Sequence, residues 1–461
     1  MASEMVDLIV VGAGPGGLAA AIEARKAGLS VTLLDEQAAP GGQIYRGVDS
    51  STARMRAVLG EDYAAGALLT REFMRSAAIH VCGASVWNVG RDRKVNYLHA
   101  GGTKVIEARH IVLATGAMER PFPIPGWTLP GVMAAGAAQV LYKSAGAVPT
   151  TPVVLAGAGP LLYLLASQYL NAGVKLAAVV HTTGIGDYLR AAAHLPAALR
   201  GWRDLRKGIR MLRHLRAHKV PVYAGARDFS IEGAQRAEAV SFTRKGRTYR
   251  VKTPLVLLHQ GVVPNTQLSW SLRADHVWDE AQLCWVPRTD EYGQIADSGI
   301  YIVGDSRAIV GAKASALQGR LAAIEIASKQ GKLDVARRAD REAAVRKELR
   351  ANLHVRPFLD ALYRPLDSHR IPARESVVVC RCEEVTAGQI RGHVAVGCQG
   401  PNQTKAFGRC GMGPCQGRLC GLTVTELIAD ARGVPPGEVG YYRIRPPIKP
   451  VTLGELAGVA P

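Results

Sequence analysis

Six of the eight cysteines fall between Cys380 and Cys420: Cys380-Arg381-Cys382, then Cys398, then Cys410, Cys415 and Cys420. Thiolates are soft ligands, and four of them gathered as two close pairs suit a [2Fe–2S] cluster, each iron taking one pair in tetrahedral geometry. The run Arg409-Cys410-Gly411-Met412-Gly413-Pro414-Cys415-Gln416-Gly417-Arg418-Leu419-Cys420 has glycines whose N–H groups are free to bond sulfur. Arg381, Arg409 and Arg418 are placed to offset negative charge. Zinc is the alternative, but its sites prefer CxxC pairs, and here a CxC accompanies a Cx4C. Spacing alone leaves open which of Cys410, Cys415 and Cys420 make the second pair. Met1-Ala2-Ser3-Glu4 shows neither a basic n-region nor an apolar h-region, which predicts a cytoplasmic protein. There, clustered thiols read as metal ligands and not as disulfides.

A second chemistry sits near residue 12. The strand Leu8-Ile9-Val10-Val11 leads through Gly12-Ala13-Gly14-Pro15-Gly16-Gly17 into an alanine-rich helix, and Val31-Thr32-Leu33-Leu34 then ends on Asp35 and Glu36. That order is a βαβ unit with a dinucleotide fingerprint: Gly12 for the tight turn, Gly14 and Pro15 at the pyrophosphate, Gly17 for helix packing, Asp35 or Glu36 for a ribose. Pro40-Gly41-Gly42-Gln43 forms a turn facing the same sheet edge. Ile111-Val112-Leu113-Ala114-Thr115-Gly116 is another buried strand running into a small-residue turn, and Tyr301-Ile302-Val303-Gly304-Asp305 places a carboxylate at a strand tip.

A similar unit begins at Pro152, with Gly157-Ala158-Gly159-Pro160. Here the third glycine is Leu162 and the second strand ends on Val180-His181-Thr182-Thr183. With neither an acid for a ribose nor an arginine for an NADP phosphate, this reads as a degenerate nucleotide site or a structural domain.

The elements that hold these sites are those of a 461-residue, 48% apolar chain with 50 glycines, long enough for two to four α/β domains. The formal net charge is +19, much of it in Leu199–Lys219 and Ala336–Arg356, where arginines alternate with aliphatic residues at helical spacing. Both are expected to be amphipathic helices with solvated basic faces. They lack aromatic interleaving and base-reading motifs, which argues against nucleic acid and for an acidic protein partner. Thr151–Val174 is long enough to span a membrane, but the Gly157-Ala158-Gly159-Pro160 turn breaks it into strand and helix.

Taken in order, these motifs resemble the two-dinucleotide-domain flavoproteins such as thioredoxin and glutathione reductase, over residues 5 to about 330. The resemblance implies FAD held by Gly12, Gly14, Pro15, Gly17, Asp35, Glu36, Gly42, Gln43, Thr115, Gly116, Gly304 and Asp305. Their redox disulfide is absent: no cysteine follows Gly41-Gly42, and the second domain carries no CxxC. The cysteine segment is similar to the BFD-like [2Fe–2S] domain, which also ends anaerobic glycerol-3-phosphate dehydrogenase. That resemblance implies Cys380, Cys382, Cys415 and Cys420 as the ligands and Cys410 as an extra, structural thiol.

The whole chain resembles the alpha (large) subunits of the opine and D-hydroxyproline dehydrogenases and of hydrogen cyanide synthase. The resemblance implies an FAD-containing beta subunit similar to D-amino-acid oxidases, a small ferredoxin-like subunit, FMN at a subunit interface, and at most peripheral contact with the inner membrane. The expected fold is α/β: two Rossmann-like domains and a small α-rich [2Fe–2S] domain. The expected division is 1–150 and 268–330 for FAD, 151–267 for the second nucleotide domain, 331–375 as a helical linker, and 376–461 for the cluster domain and tail. The function expected is electron transfer within an amine or imino-acid dehydrogenase. No catalytic acid or base stands out. An NAD(P)H-dependent flavin/iron–sulfur reductase, with NAD(P) at Gly157 and Gly159, and a scaffold holding a static nucleotide such as ATP are the competing readings.

Overall fold

The computed structural model describes residues 5–458. Its first layer is a seven-stranded sheet centred on Val6–Val11, which lies parallel to Val31–Asp35 on one side and to Gly102–Leu113 on the other. Strands buried on both faces read as unbroken apolar runs, and that is why Leu8, Ile9 and Val10 are all fully buried. The strand Gly102–Leu113 serves two layers. Its first half pairs antiparallel with Lys94–His99, and its second half runs parallel to Val6–Val11 and to Ile300–Ile302. The last of these strands returns to the sheet from beyond the second domain, so the first domain is built from two segments.

The helices Pro15–Lys26 and Ala312–Lys329 cover one face of this sheet. They meet backbone to backbone: a Cβ on Gly319 would stand 2.0 Å from the Gly16 carbonyl oxygen. Only glycine permits that approach.

The second sheet has five parallel strands, in the order Val222–Ala224, Leu176–His181, Val153–Ala158, Leu255–Gln260 and Val132–Ala134. It draws its edge strand and the helix Ala135–Ala145 from before residue 151. The chain crosses between domains on two adjacent strands, Ala117–Glu119 and Val262–Pro264, which pair antiparallel.

The C-terminal unit is a short hairpin, Val378–Cys380 with Val385–Thr386, and the helices Ala387–Ala395, Pro401–Gly408 and Gly421–Arg432. Its core is continuous with the far face of the first sheet: Ile9, Val11, Ile111 and Ile302 share one buried cluster with Cys380, Val424, Leu427 and Tyr442.

The two basic helices differ. In Trp202–Ala217 the arginines are exposed and only Leu215 is fully buried, as expected. Val335–Leu353 is different: Arg338 pairs with Glu342 at 2.8 Å and Glu325 at 2.5 Å, Arg341 with Glu23 at 3.3 Å, and Arg346 with Glu291 at 2.9 Å. Glu23 and Glu325 are buried on the dinucleotide-domain helices, and a buried carboxylate needs a counter-charge. The basic face expected to be solvated is therefore partly an internal clamp. No helix among the described residues is long and apolar enough to cross a membrane.

Candidate functional site

The glycine turn after Val6–Val11 is fixed by its neighbours. The Gly12 amide donates to the Leu34 carbonyl at 2.8 Å, and the Ala13 amide donates to Asp35 Oδ2 at 2.6 Å. A Cβ on Gly17 would lie 1.9 Å from the Gly12 carbonyl oxygen, whereas Gly14 faces open space. The Pro40-Gly41-Gly42 turn closes against this one, with the Gly41 amide on the Ala13 carbonyl at 2.8 Å and no room for a Cβ on Gly42, which would meet Gly14 Cα at 2.7 Å.

Beside Gly14 opens a half-open cleft lined among others by Pro15, Ile44, Gly116, Gly304, Asp305 and Ser315. Asp305 Oδ1 accepts from the Val310 and Gly311 amides, both at 2.8 Å, so its carboxylate shapes the entry to the helix Ala312–Lys329. The open approach to Gly14 and the helix N-terminus fit a dinucleotide pyrophosphate, and the flanking carboxylate suits the hydroxyls of its sugar chain. Gln43 contributes its carbonyl, which accepts from the buried Lys143 ammonium at 3.1 Å. Glu36 stands apart from the other matched residues. Burial opposes its ionisation, but Lys449 and the Ser85 hydroxyl hold its carboxyl below the ordinary range.

The cysteines meet in two groups. Cys380, Cys410 and Cys420 are all buried, with their sulfurs within 4.8 Å of one another. Cys382 Sγ lies 3.7 Å from Cys415 Sγ. The structure thus gathers three of the thiols, Cys410 among them, and pairs the other two with each other. Their chemistry fits a soft metal centre. The turn Gly411-Met412-Gly413-Pro414 brings the two groups together, and a Cβ on Gly413 would lie 2.1 Å from Cys382 Cβ. The Gly411 amide points at Cys380 Sγ, at 3.5 Å. Hydrogen bonds from the Cys410 and Cys420 thiols and from the Gly411 amide pull the Cys380 thiol far down, while Cys410 and Cys420 are pushed up.

The three arginines expected to offset cluster charge are largely committed elsewhere. Arg409 pairs with Glu383 at 2.9 Å, Arg381 stacks over Trp127, and Arg418 donates to the Ile448 carbonyl at 3.1 Å. Lys405 is another cation on this side, its ammonium 4.8 Å from the centre of the Tyr442 ring.

A short stretch joins the two sites. Thr115 Oγ1 donates to the Asn265 carbonyl at 3.1 Å, and the Asn265 amide donates to the Gly116 carbonyl at 3.0 Å. Two residues on, buried Gln267 donates from Nε2 to the Cys415 and Gln416 carbonyls, at 3.5 and 3.3 Å.

In the second domain the glycine turn is filled. His259, whose Nδ1 lies 2.8 Å from Glu119 Oε2, packs so closely that a Cβ on Gly159 would meet its Nε2 at 2.8 Å. His181, at the tip of Leu176–His181, is buried against Tyr163, and burial pushes its pKa down to about 4. Sequence reasoning missed Glu119, Lys143, His259, Gln267 and Tyr442. None carries a local motif, and each acts on a partner far along the chain.

Comparison with known proteins agrees with this anatomy. The pyridine nucleotide-disulphide oxidoreductase family matches residues 6–331, and the sarcosine oxidase A3 domain matches residues 374–459. The chain is 45% identical to the A subunit of opine oxidase from Rhizobium meliloti, over 98% of its own length and 88% of that protein. It is 31% identical to the HcnB subunit of hydrogen cyanide synthase from Pseudomonas aeruginosa, over 96% of each. In fold it resembles the L-proline dehydrogenase of P. horikoshii, with a TM-score of 0.73 at 20% identity, covering 98% of this chain and 79% of that one. The chain belongs to the family of the opine oxidase A subunit and the hydrogen cyanide synthase HcnB subunit, flavoprotein oxidoreductases of the pyridine nucleotide-disulphide oxidoreductase fold with a C-terminal domain of the sarcosine oxidase A3 type.

Proposed function

We propose that this chain is the electron-transfer subunit of a hetero-oligomeric amine or imino-acid dehydrogenase of the opine or D-hydroxyproline type. It would hold FAD in the first domain and a [2Fe–2S] cluster at the C-terminal cysteines. When bound, the flavin supplies two-electron and the cluster one-electron redox chemistry. The chain's own residues position these groups: Gly12, Gly14, Pro15, Gly17, Gly42, Thr115, Gly116, Gly304 and Asp305 cradle and orient the dinucleotide, with Asp35 bracing the turn. Cys380, Cys382, Cys415 and Cys420 hold the metal.

The observation that carries this reading is the single buried core shared by the nucleotide sheet and the cysteine domain, crossed by the Thr115–Asn265–Gln267–Cys415 contacts. Asp305 is the only titratable side chain among the described residues lining the cleft. A relay needs no acid or base there. Substrate oxidation then falls to a partner, an FAD-containing beta subunit similar to D-amino-acid oxidases, with FMN at the interface and a small ferredoxin-like subunit completing the complex.

The second reading, an NAD(P)H-dependent reductase, is disfavoured by His259 over Gly159 and by the tip residues Val180 and His181 in place of an acid. The third, a scaffold holding ATP, predicts no flavin in the purified chain. Anaerobic purification is expected to yield FAD with about two iron and two sulfide per chain, as a [2Fe–2S] centre requires; zinc in place of iron overturns the cluster. Co-expression with the beta subunit is expected to give a complex that oxidises opines or D-hydroxyproline with an artificial acceptor. Amine oxidation by the lone chain, or flavin bleaching by NADH, would count against the relay.

A further inference from the structure

Tyr442 is fully buried, and its ring stands where the backbone leaves space on both sides: a Cβ on Gly411 would come within 2.5 Å of it, and one on Gly417 within 2.4 Å. The phenol reaches into the sulfur group. Its oxygen lies 3.4 Å from Cys410 Sγ and 3.8 Å from Cys420 Sγ, and those sulfurs are its hydrogen-bond partners. Cys410 in turn stands within 4.8 Å of both Cys380 and Cys420, and is likewise fully buried. Once Cys380 and Cys420 ligate metal as thiolates, the side-chain protons left at this end are those of the Tyr442 hydroxyl and the Cys410 thiol. Both are shut off from water; the hydroxyl has the Cys410 sulfur and the ligand sulfur of Cys420 in reach, and the Cys410 thiol has those of Cys380 and Cys420.

On the reading that Cys380, Cys382, Cys415 and Cys420 hold a [2Fe–2S] cluster, we propose that Tyr442 and Cys410 are the hydrogen-bond donors that set its electron affinity. Uptake of one electron adds negative charge to the iron and sulfur, so donors aimed at sulfur strengthen in the reduced state and raise the reduction potential. The Lys405 ammonium on the ring face acts in the same direction. Neither Tyr442 nor Cys410 touches substrate; they act through the ligands.

The test is potentiometric titration of the full chain, followed by EPR, for the unaltered protein, Tyr442→Phe and Cys410→Ala. Iron and sulfide are to be counted in each. Tyr442→Phe keeps the ring and removes one donor, and is expected to weaken electron uptake by about tenfold, which is about 59 mV for a one-electron couple. Cys410→Ala is expected to shift the potential the same way, with an altered EPR spectrum and undiminished iron. Fully loaded variants with the unaltered potential overturn the proposal. If Tyr442→Phe loses iron, Cys410→Ala alone decides, and an unchanged potential there also overturns it. Absence of iron from the unaltered protein refutes the cluster itself, which is a distinct outcome.

Discussion

Gln267 and Cys415 are joined by a side-chain amide donating to a backbone carbonyl at 3.5 Å, with the neighbouring Gln416 carbonyl at 3.3 Å. Gln267 also sits two residues beyond Asn265, whose backbone is bonded to Thr115 and Gly116. Replacement by Leu preserves bulk and removes both donated bonds. Gln267→Leu is expected to leave FAD, iron and sulfide contents unchanged and to slow cluster bleaching several-fold after photoreduction of the flavin. An unchanged rate would show that electrons do not depend on this contact.

Asp35 holds the amide of Ala13 through Oδ2 at 2.6 Å and that of Gln37 through Oδ1 at 2.7 Å. Hydrogen bonds to a charged acceptor are worth about 1.5–3 kcal/mol each. Asp35→Ala should therefore loosen the glycine turn as well as remove the proposed ribose acceptor. Protein purified with Asp35→Ala is expected to contain less than half the flavin of the unaltered chain and to melt lower in its apo form. Full flavin content would show that the turn holds without its brace.

The proposed cluster assigns the five thiols different roles. Cys415→Ser is expected to abolish bound iron, because it removes the partner of Cys382, whereas Cys410→Ser should retain it. Iron loss in Cys410→Ser with retention in Cys415→Ser would mean that the group Cys380, Cys410 and Cys420 is itself the metal site.

A buried ion pair ties Arg370 to Glu426 on the helix Gly421–Arg432, with side chains 7% and 2% exposed. Removing one partner strands a buried charge, which costs about 3–5 kcal/mol. Arg370→Met should lower the urea midpoint strongly, and adding Glu426→Leu should recover most of the loss. Additive losses in the double variant would show that the two side chains act independently.

Burial, aided by the nearby Arg46, pushes the Lys143 ammonium down from its ordinary 10.5 to about 8. A base with a lowered folded-state pKa destabilises the native state while it is charged, below pH 8. The cost is relieved as pH rises from about 8 to 10.5, where the unfolded chain binds more protons than the native one. Lys143→Met should raise the urea midpoint at pH 7, and its advantage should shrink by pH 10. A constant difference would mean that Lys143 keeps an ordinary, solvated ammonium in the folded chain.

Much of this was legible in the sequence because the signals are local. Gly12 to Gly17 followed by Asp35, the Gly304-Asp305 strand tip and the clustered cysteines each lie within one supersecondary unit, where spacing and chemistry coincide. What escaped depends on long-range packing. Arg341 reads as a surface charge until it is found on buried Glu23, and His259 looks unremarkable until Glu119 and Gly159 surround it. The arrival of Cys410 beside Cys380 and Cys420 turns on the path of the Gly411–Pro414 turn, which counting residues does not reveal.

Lys449 closes on Glu36 from 413 residues further along the chain, and the adjoining Ile448 amide bonds the Trp87 carbonyl at 3.0 Å. At common elongation rates that separation is a wait of roughly 20–80 s on the ribosome. The carboxylate beside the nucleotide turn thus stays unlatched until the cysteine-bearing segment has been made. Chain connectivity therefore fixes an order, in which this contact between the two ends of the chain forms only after every cysteine has been made.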